Sequence, residues 1–254
     1  MPVRIARWCA ALSLLAVLFV GLVPPRAIAQ QGSPGNFLYT IEAIKRSIAP
    51  VVCRTGIADR PVSAILGTAF FVSAEGEFVT AAHVLQTAPA NCDTAIYVPL
   101  DGWRSESDAI RLFNFQRQQC RIETNADVAV CQTVVLPATV PKVNALPVTL
   151  DAEASPVEGT EVAFTGFPLR NAEPLTARGF LAGYRNPSRA GGERWILDRA
   201  AWPGSSGSPV YLEDGRVIGI IIQRGVNDGS GLAYARPASQ IAASVRKFRQ
   251  GSAP

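Results

Sequence analysis

The sequence predicts an all-β protein made of two antiparallel β units, with a short helix near each end. Three observations carry that prediction. Between Val51 and Ala235 the apolar residues fall in short runs of strand length rather than in long helical periods. Gly and Pro punctuate those runs at close intervals, which argues for a sandwich or barrel and against βαβ units. A segment bearing Pro137, Pro141 and Pro147 separates two groups of runs, and repeated proline is a poor fit to a central strand.

Taken in order, residues 1–29 read as a secretory signal. Arg4 and Arg7 stand in an acid-free start, Trp8 to Val23 is an apolar or small-residue run, and Ala27-Ile28-Ala29 offers small residues for cleavage. The run is shorter than the about 20 residues a membrane span needs. Residues 30–50 form a polar start and then a helix, Phe37 to Ile48, with Leu38, Ile41, Ile44 and Ile48 at helical spacing and Pro50 ending it. The first β unit spans 51–136. Its expected strands are Val51–Thr55, Ala64–Leu66, Thr68–Val72, Glu77–Thr80, Ala95–Pro99, Ala109–Phe115, Cys120–Thr124 and Asp127–Thr133. A linker follows over 137–150. The second unit, 151–254, holds Glu161–Gly166, Pro174–Tyr184, Arg194–Asp198, Ser208–Leu212, Arg216–Gln223 and Gly231–Ala235. Ile241, Val245 and Phe248 then give a C-terminal helix over Pro237–Gln250.

Charge excludes some partners. The 254 residues carry 24 Lys and Arg against 20 Asp and Glu. Loss of the signal would remove three of the 24 (Arg4, Arg7, Arg26), leaving 21 against 20. A nearly neutral chain gives no electrostatic reason to expect nucleic acid or, after signal removal, a membrane surface. Loss of Cys9 would leave Cys53, Cys92, Cys120 and Cys131, an even number suited to two disulfides in an exported protein. Three pairings are possible. Cys53–Cys92 and Cys120–Cys131 are favoured: the first ties the first strand to the segment after His83, and the second closes a short loop around Asp127. A zinc site is disfavoured, with no C-x-x-C pair and one histidine.

The chemistry gathers at three places. Pro203-Gly204-Ser205-Ser206-Gly207-Ser208-Pro209-Val210 reads as a nucleophile loop. A serine hydroxyl needs an adjacent base and donors for the oxyanion it creates. Gly204 and Ser206 can turn their N–H groups to one point, and Gly207 keeps side-chain bulk from the substrate. His83, the sole histidine, follows a strand in Thr80-Ala81-Ala82-His83, and imidazole is the side chain suited to accept and return a proton near neutral pH. Asp127 opens the apolar strand Asp127-Val128-Ala129-Val130. A partly buried carboxylate there wants a hydrogen-bonding partner, and the His83 ring is the obvious one. Asp93, Asp101 and Asp108 are rivals in more polar surroundings.

These three, in the chain order His…Asp…Ser, resemble the chymotrypsin-like serine proteases rather than subtilisins or α/β-hydrolases. Gly67-Thr68-Ala69-Phe70-Phe71-Val72 with Gly76, Gly166-Phe167-Pro168, and Arg216-Val217-Ile218-Gly219-Ile220 extend the likeness over about Val51 to Ala235. The nucleophile loop looks like that of glutamyl endopeptidases, and the helix-then-strand start looks like the high-temperature-requirement proteases. The resemblance implies two six-stranded antiparallel β-barrels, with the triad His83, Asp127, Ser206 in the cleft between them. It implies an oxyanion hole from Gly204 and Ser206, a protein or peptide substrate, and no cofactor or metal. The chain lacks an Ile-Val-Gly-Gly start, and Ser205 stands where zymogen-activated members carry an aspartate. Activation by clipping to a new N-terminus is therefore not expected.

Specificity is less plainly written. By resemblance, Ala200 lies at the base of the pocket for the residue before the scissile bond (P1), with Ala201 beside it, so a small or apolar P1 is expected. Glutamyl specificity is the alternative, with Gln223 and Arg224 at the end of the strand after the nucleophile and no histidine in that strand. Two further readings remain: a non-catalytic binding protein on the same fold, and an esterase sharing the acyl chemistry.

Overall fold

Two curved antiparallel sheets pack face to face in a computed structural model that describes residues 37–55, 62–99, 110–134, 146–185, 193–224 and 231–251. The expected signal, the polar start over 30–36 and most of the linker lie outside the described residues. The described ones belong to one compact unit.

The first sheet contains β1 (Ile48–Thr55), β2 (Val62–Phe71), β3 (Glu77–Thr80), β4 (Asp93–Pro99), β5 (Ile110–Asn114), β6 (Arg121–Glu123) and β7 (Val128–Gln132). Its order is β5-β4-β1-β2-β3-β7-β6. Seven strands replace the expected six, and the sheet curls without closing. The residue after β5 meets the residue after β7 at one bridge, Phe115 to Thr133, where the Val134 N–H donates to the Asn114 carbonyl at 2.8 Å. The second set closes fully into a barrel of six strands: β8 (Glu161–Gly166), β9 (Leu175–Arg185), β10 (Arg194–Leu197), β11 (Pro209–Tyr211), β12 (Val217–Arg224) and β13 (Ala233–Pro237).

Two expectations change in the first sheet. The N-terminal helix α1 stops at Lys45 instead of running to Ile48, and β1 begins at Ile48 and continues through Pro50. Proline drives the residue before it into extended backbone, which favours strand at Ala49. Neighbour β4 pairs β1 only over Val51–Arg54, so Pro50 is not asked for a hydrogen on that side. The break expected at Gly67 is also absent, since β2 runs through it. Glycine is required there by close approach. A Cβ on Gly67 would lie 2.6 Å from a Val84 methyl and 2.8 Å from the Ser206 carbonyl oxygen.

Three apolar clusters hold this together. One fills the first sheet (Phe71, Phe78, Phe115, Leu85, Ile96), with the Phe78 and Phe115 rings edge-on at 5.0 Å. A second fills the closed barrel (Phe164, Leu181, Trp195, Leu197, Ile218). The third lies between the sheets and includes Phe70, Val79 and Val130 from the first with Phe167, Ile220 and Ile222 from the second. Both terminal helices seal it. Helix α1 (Phe37–Lys45) contributes Phe37 and Ile44. Helix α3 (Ala238–Gly251) buries Ile241, Val245 and Phe248 on one face at i, i+4 and i+7. At about 1.5–3 kcal/mol per buried apolar side chain, that face contributes roughly 5–9 kcal/mol. The helices therefore clamp the two sheets into one body.

Candidate active site

Strand β3 delivers His83 to the junction of the sheets. Ala81 is the last extended residue, and the short helix α2 (Ala82–Gln86) turns the chain so that His83 lies in its first turn. Ala81, Ala82, Val84 and Leu85 are buried around it. The first N–H groups of a helix have no partner within it. That of His83 finds one across the chain, in the Asp127 carboxylate, at 2.9 Å to Oδ1.

The same carboxylate takes the ring. His83 Nδ1 lies 2.8 Å from Asp127 Oδ2 and 3.1 Å from Oδ1. An ionised carboxylate only accepts, so Nδ1 carries the hydrogen and Nε2 is left as an acceptor. Backbone and ring are thus fixed by one group, which leaves the imidazole little freedom to swing. Its side chain stays 36% exposed, open to the cleft. Asp127 occupies a left-handed backbone position, φ 55°, at the end of a turn in which its N–H donates to Thr124 at 3.2 Å. Aspartate is among the few residues that accept such a position.

Cys120 and Cys131, which bracket this turn, lie at disulfide distance with Cα atoms 4.4 Å apart; Cys53 and Cys92 do likewise at 5.2 Å. This is the favoured pairing. Of the rival acids, Asp93 pairs with Arg54, and Asp101 and Asp108 lie outside the described residues.

Ser206 reaches the same cleft from the closed barrel. A cavity of about 490 Å³ is lined by His83, Asp127 and Ser206 together with Ala201, Trp202, Pro203, Ile221, Ile222 and Gln223. No hydrogen bond joins Ser206 Oγ to the ring; such bonds commonly tighten only with substrate in place. The loop before Ser206 is held in a specific shape. The Pro203 carbonyl accepts the Leu169 N–H at 2.7 Å, and the Ser205 carbonyl accepts the Ser208 N–H at 3.0 Å. A trans peptide points its N–H opposite to its C=O. The N–H groups of Gly204 and Ser206 are therefore turned away from those contacts, and neither donates to any described residue. Gly204 adopts φ +98°, and a Cβ there would sit 2.2 Å from the Phe167 carbonyl oxygen.

Ser205 is buried, and its contacts are local. Its N–H donates to the Trp202 carbonyl at 2.9 Å, and its hydroxyl accepts the Trp202 N–H at 3.3 Å. The loop is shaped by its own turn, with no ion pair needed to hold it.

Sequence reasoning passed over Thr68. This buried residue of β2 stitches the Gly204–Ser206 loop to the first sheet. Its hydroxyl donates to the Gly204 carbonyl at 2.9 Å and accepts the Phe167 N–H at 3.0 Å, and its own N–H donates to the Ser206 carbonyl at 2.8 Å. A polar side chain amid the apolar run Ala69-Phe70-Phe71 was the available signal. Around the pocket, Ala201 and Gln223 line the cleft, whereas Ala200 does not. Trp202, Ile221 and Ile222 were not anticipated as lining. Arg224 closes β12, and its side chain lies outside the described residues.

A sequence profile for the trypsin-like peptidase domain matches residues 67–220, more than half of the chain. The chain belongs to the trypsin-like peptidase family. It is a serine peptidase, a hydrolase of peptide bonds. Compared with curated protein sequences, the peptidase matches none. Among solved structures it resembles the Rv3671c protease from M. tuberculosis in its active form, with a TM-score of 0.61 at 16% identity over 82% of this chain and 83% of that one. It also resembles AlgW, an HtrA-type protease solved with a decapeptide, with a TM-score of 0.66 at 18% identity over 85% and 68% of the respective chains. Likeness at such identities is one of fold.

Proposed function

We propose that this peptidase is an exported endopeptidase working through the triad His83, Asp127 and Ser206, with a preference for a small or apolar P1 residue. One observation carries the reading. The only imidazole in the chain is clamped through Nδ1 by Asp127, leaving Nε2 free in the cavity that Ser206 lines. In the proposed reaction His83 Nε2 takes the Ser206 proton as Oγ attacks the peptide carbonyl carbon. The N–H groups of Gly204 and Ser206 hold the resulting oxyanion. His83 then gives its proton to the leaving amine as the C–N bond breaks. Water, deprotonated by the same ring, attacks the acyl-enzyme and frees Ser206. Asp127 keeps the ring in the tautomer this needs and stabilises the imidazolium.

The residues 51–136 would supply the base and the acid, and 151–254 the nucleophile. The decapeptide with which AlgW was solved supports a peptide substrate. Ala201, Ile221 and Ile222 give that cleft apolar walls, which supports a small or apolar P1. The signal-like start and the two cysteine pairs support export. The self-contained Ser205 turn supports activity without clipping.

The test is labelling of purified protein with a fluorophosphonate probe, followed by peptide mapping. An adduct on Ser206, lost in His83→Ala, is expected. A folded protein that gives none would favour the binding-protein reading. Profiling a peptide library then reads P1, and a dominant Glu or Arg/Lys preference would overturn the apolar assignment.

A further inference from the structure

The bulkiest of the fully buried side chains is a cation. Arg236, on β13 of the closed barrel, is 1% exposed. Its Nε donates to the Ala126 carbonyl at 2.8 Å, its Nη2 to the Asn125 carbonyl at 2.9 Å, and its Nη1 to the Glu193 carbonyl at 2.9 Å. Among the described residues no carboxylate pairs with it. Such burial is costly, and an apolar residue of similar volume generally stabilises a fold at least as well. The arginine therefore calls for a reason beyond stability.

The carbonyls it holds supply one. Asn125 and Ala126 are the two residues before Asp127, in the turn that carries Asp127 at φ 55°. That turn belongs to the first sheet, and the guanidinium reaches it from the second. We infer that Arg236 is a positioning residue: its planar fork fixes the two peptides ahead of Asp127 and so aims the carboxylate that orients His83. The inference rests on the reading of Asp127 as the triad acid. Burial lowers the proton affinity of the Arg236 guanidinium, and the nearby charge of Arg194 lowers it further; the Asp127 charge acts the other way.

A double-mutant cycle tests this, read as the phosphonylation constants kinact and KI for a fluorophosphonate probe. Arg236→Met is expected to lower kinact about tenfold to a hundredfold, the size of effect caused by a misplacement of about 1 Å, with KI within about threefold. Arg236→Lys, which keeps the charge but cannot span three carbonyls, is expected to fall between Met and wild type. In an Asp127→Ala background the same Arg236→Met change should cost no more than about twofold, because there is no carboxylate left to aim.

Equal losses in both backgrounds overturn the inference, as does a change confined to KI. If neither variant shows a cooperative thermal transition, Arg236 is a requirement of the fold and the positioning role falls. A wild-type protein that takes no label on Ser206 overturns the triad reading and this inference with it. A labelled wild type with an additive cycle overturns only this inference.

Discussion

Replacing Thr68 by valine removes one oxygen atom from the place where the two sheets meet at the Gly204–Ser206 loop. Both side chains are β-branched, so the shape is nearly kept and the experiment isolates the hydroxyl. That hydroxyl makes two hydrogen bonds, at 2.9 Å to the Gly204 carbonyl and 3.0 Å from the Phe167 N–H, at a site with no exposure. Taking a partner from a buried backbone group costs about 1–3 kcal/mol, so two such losses place the expected destabilisation at about 3 kcal/mol. For a domain of this size about 3 kcal/mol lowers Tm by roughly 6–12 °C. Activity should suffer as well, because the Gly204 peptide loses the anchor on its carbonyl. A drop of about tenfold or more in fluorophosphonate labelling of the surviving folded protein is expected. Thr68→Ser keeps the hydroxyl and should label at close to the wild-type rate. Scanning calorimetry and labelling kinetics read both effects. A valine variant that melts within about 2 °C of wild type and labels at the wild-type rate would refute the argument that Thr68 holds the loop.

Other perturbations follow from the same geometry. Gly204→Ala places a Cβ against the Phe167 carbonyl oxygen at a left-handed position, so the Gly204 N–H must move; labelling should fall on the order of 10²–10³, as for loss of one oxyanion donor. An unchanged rate would show that this N–H is not used. The Tyr211 phenol is buried, which pushes its pKa up to about 12 from the ordinary 10, and its hydroxyl bonds Thr165 at 2.6 Å. Between those values the unfolded chain has lost the proton and the folded one has kept it, so stability falls as pH rises, by up to about 1.4 kcal/mol per pH unit. Urea titrations from pH 9 to 12 should show that slope in wild type and a shallower one in Tyr211→Phe. Cys131→Ala opens the loop around Asp127, and a stability loss of about 2–3 kcal/mol is expected from the closure entropy, measured by denaturant unfolding. Mass spectrometry of the unreduced protein should find Cys53 with Cys92 and Cys120 with Cys131.

Much of the fold was legible in the sequence because strands announce themselves locally. Glu77–Thr80 and Glu161–Gly166 were read to the residue, each being a short apolar run with Gly before or after it. The misreadings share a cause. Gly67 and Pro50 were read as punctuation, the usual local meaning of glycine and proline. At Gly67 the decisive fact is the approach of Val84 and the Ser206 carbonyl, which come from other parts of the chain. At Pro50 it is the extent of β4, which stops short of it. Register and edges are set between strands, and no single strand encodes them.

The site divides in the same way. His83, Asp127 and Ser206 are proposed from the sequence because each stands in a short motif whose residue types the proposed chemistry demands: small residues before the base, an acid at the head of an apolar strand, and glycines around the nucleophile. Their residue types, order and local backbone settings are local properties. Thr68 and Arg236 lie 138 and 109 residues from Ser206 and Asp127 respectively. Each holds a loop through backbone carbonyls, which carry no side-chain signature. The sequence by itself determined which groups could do the chemistry. The tertiary structure decided which of them meet and what holds them there, because those contacts cross from one sheet to the other and exist only once both have closed around their shared core.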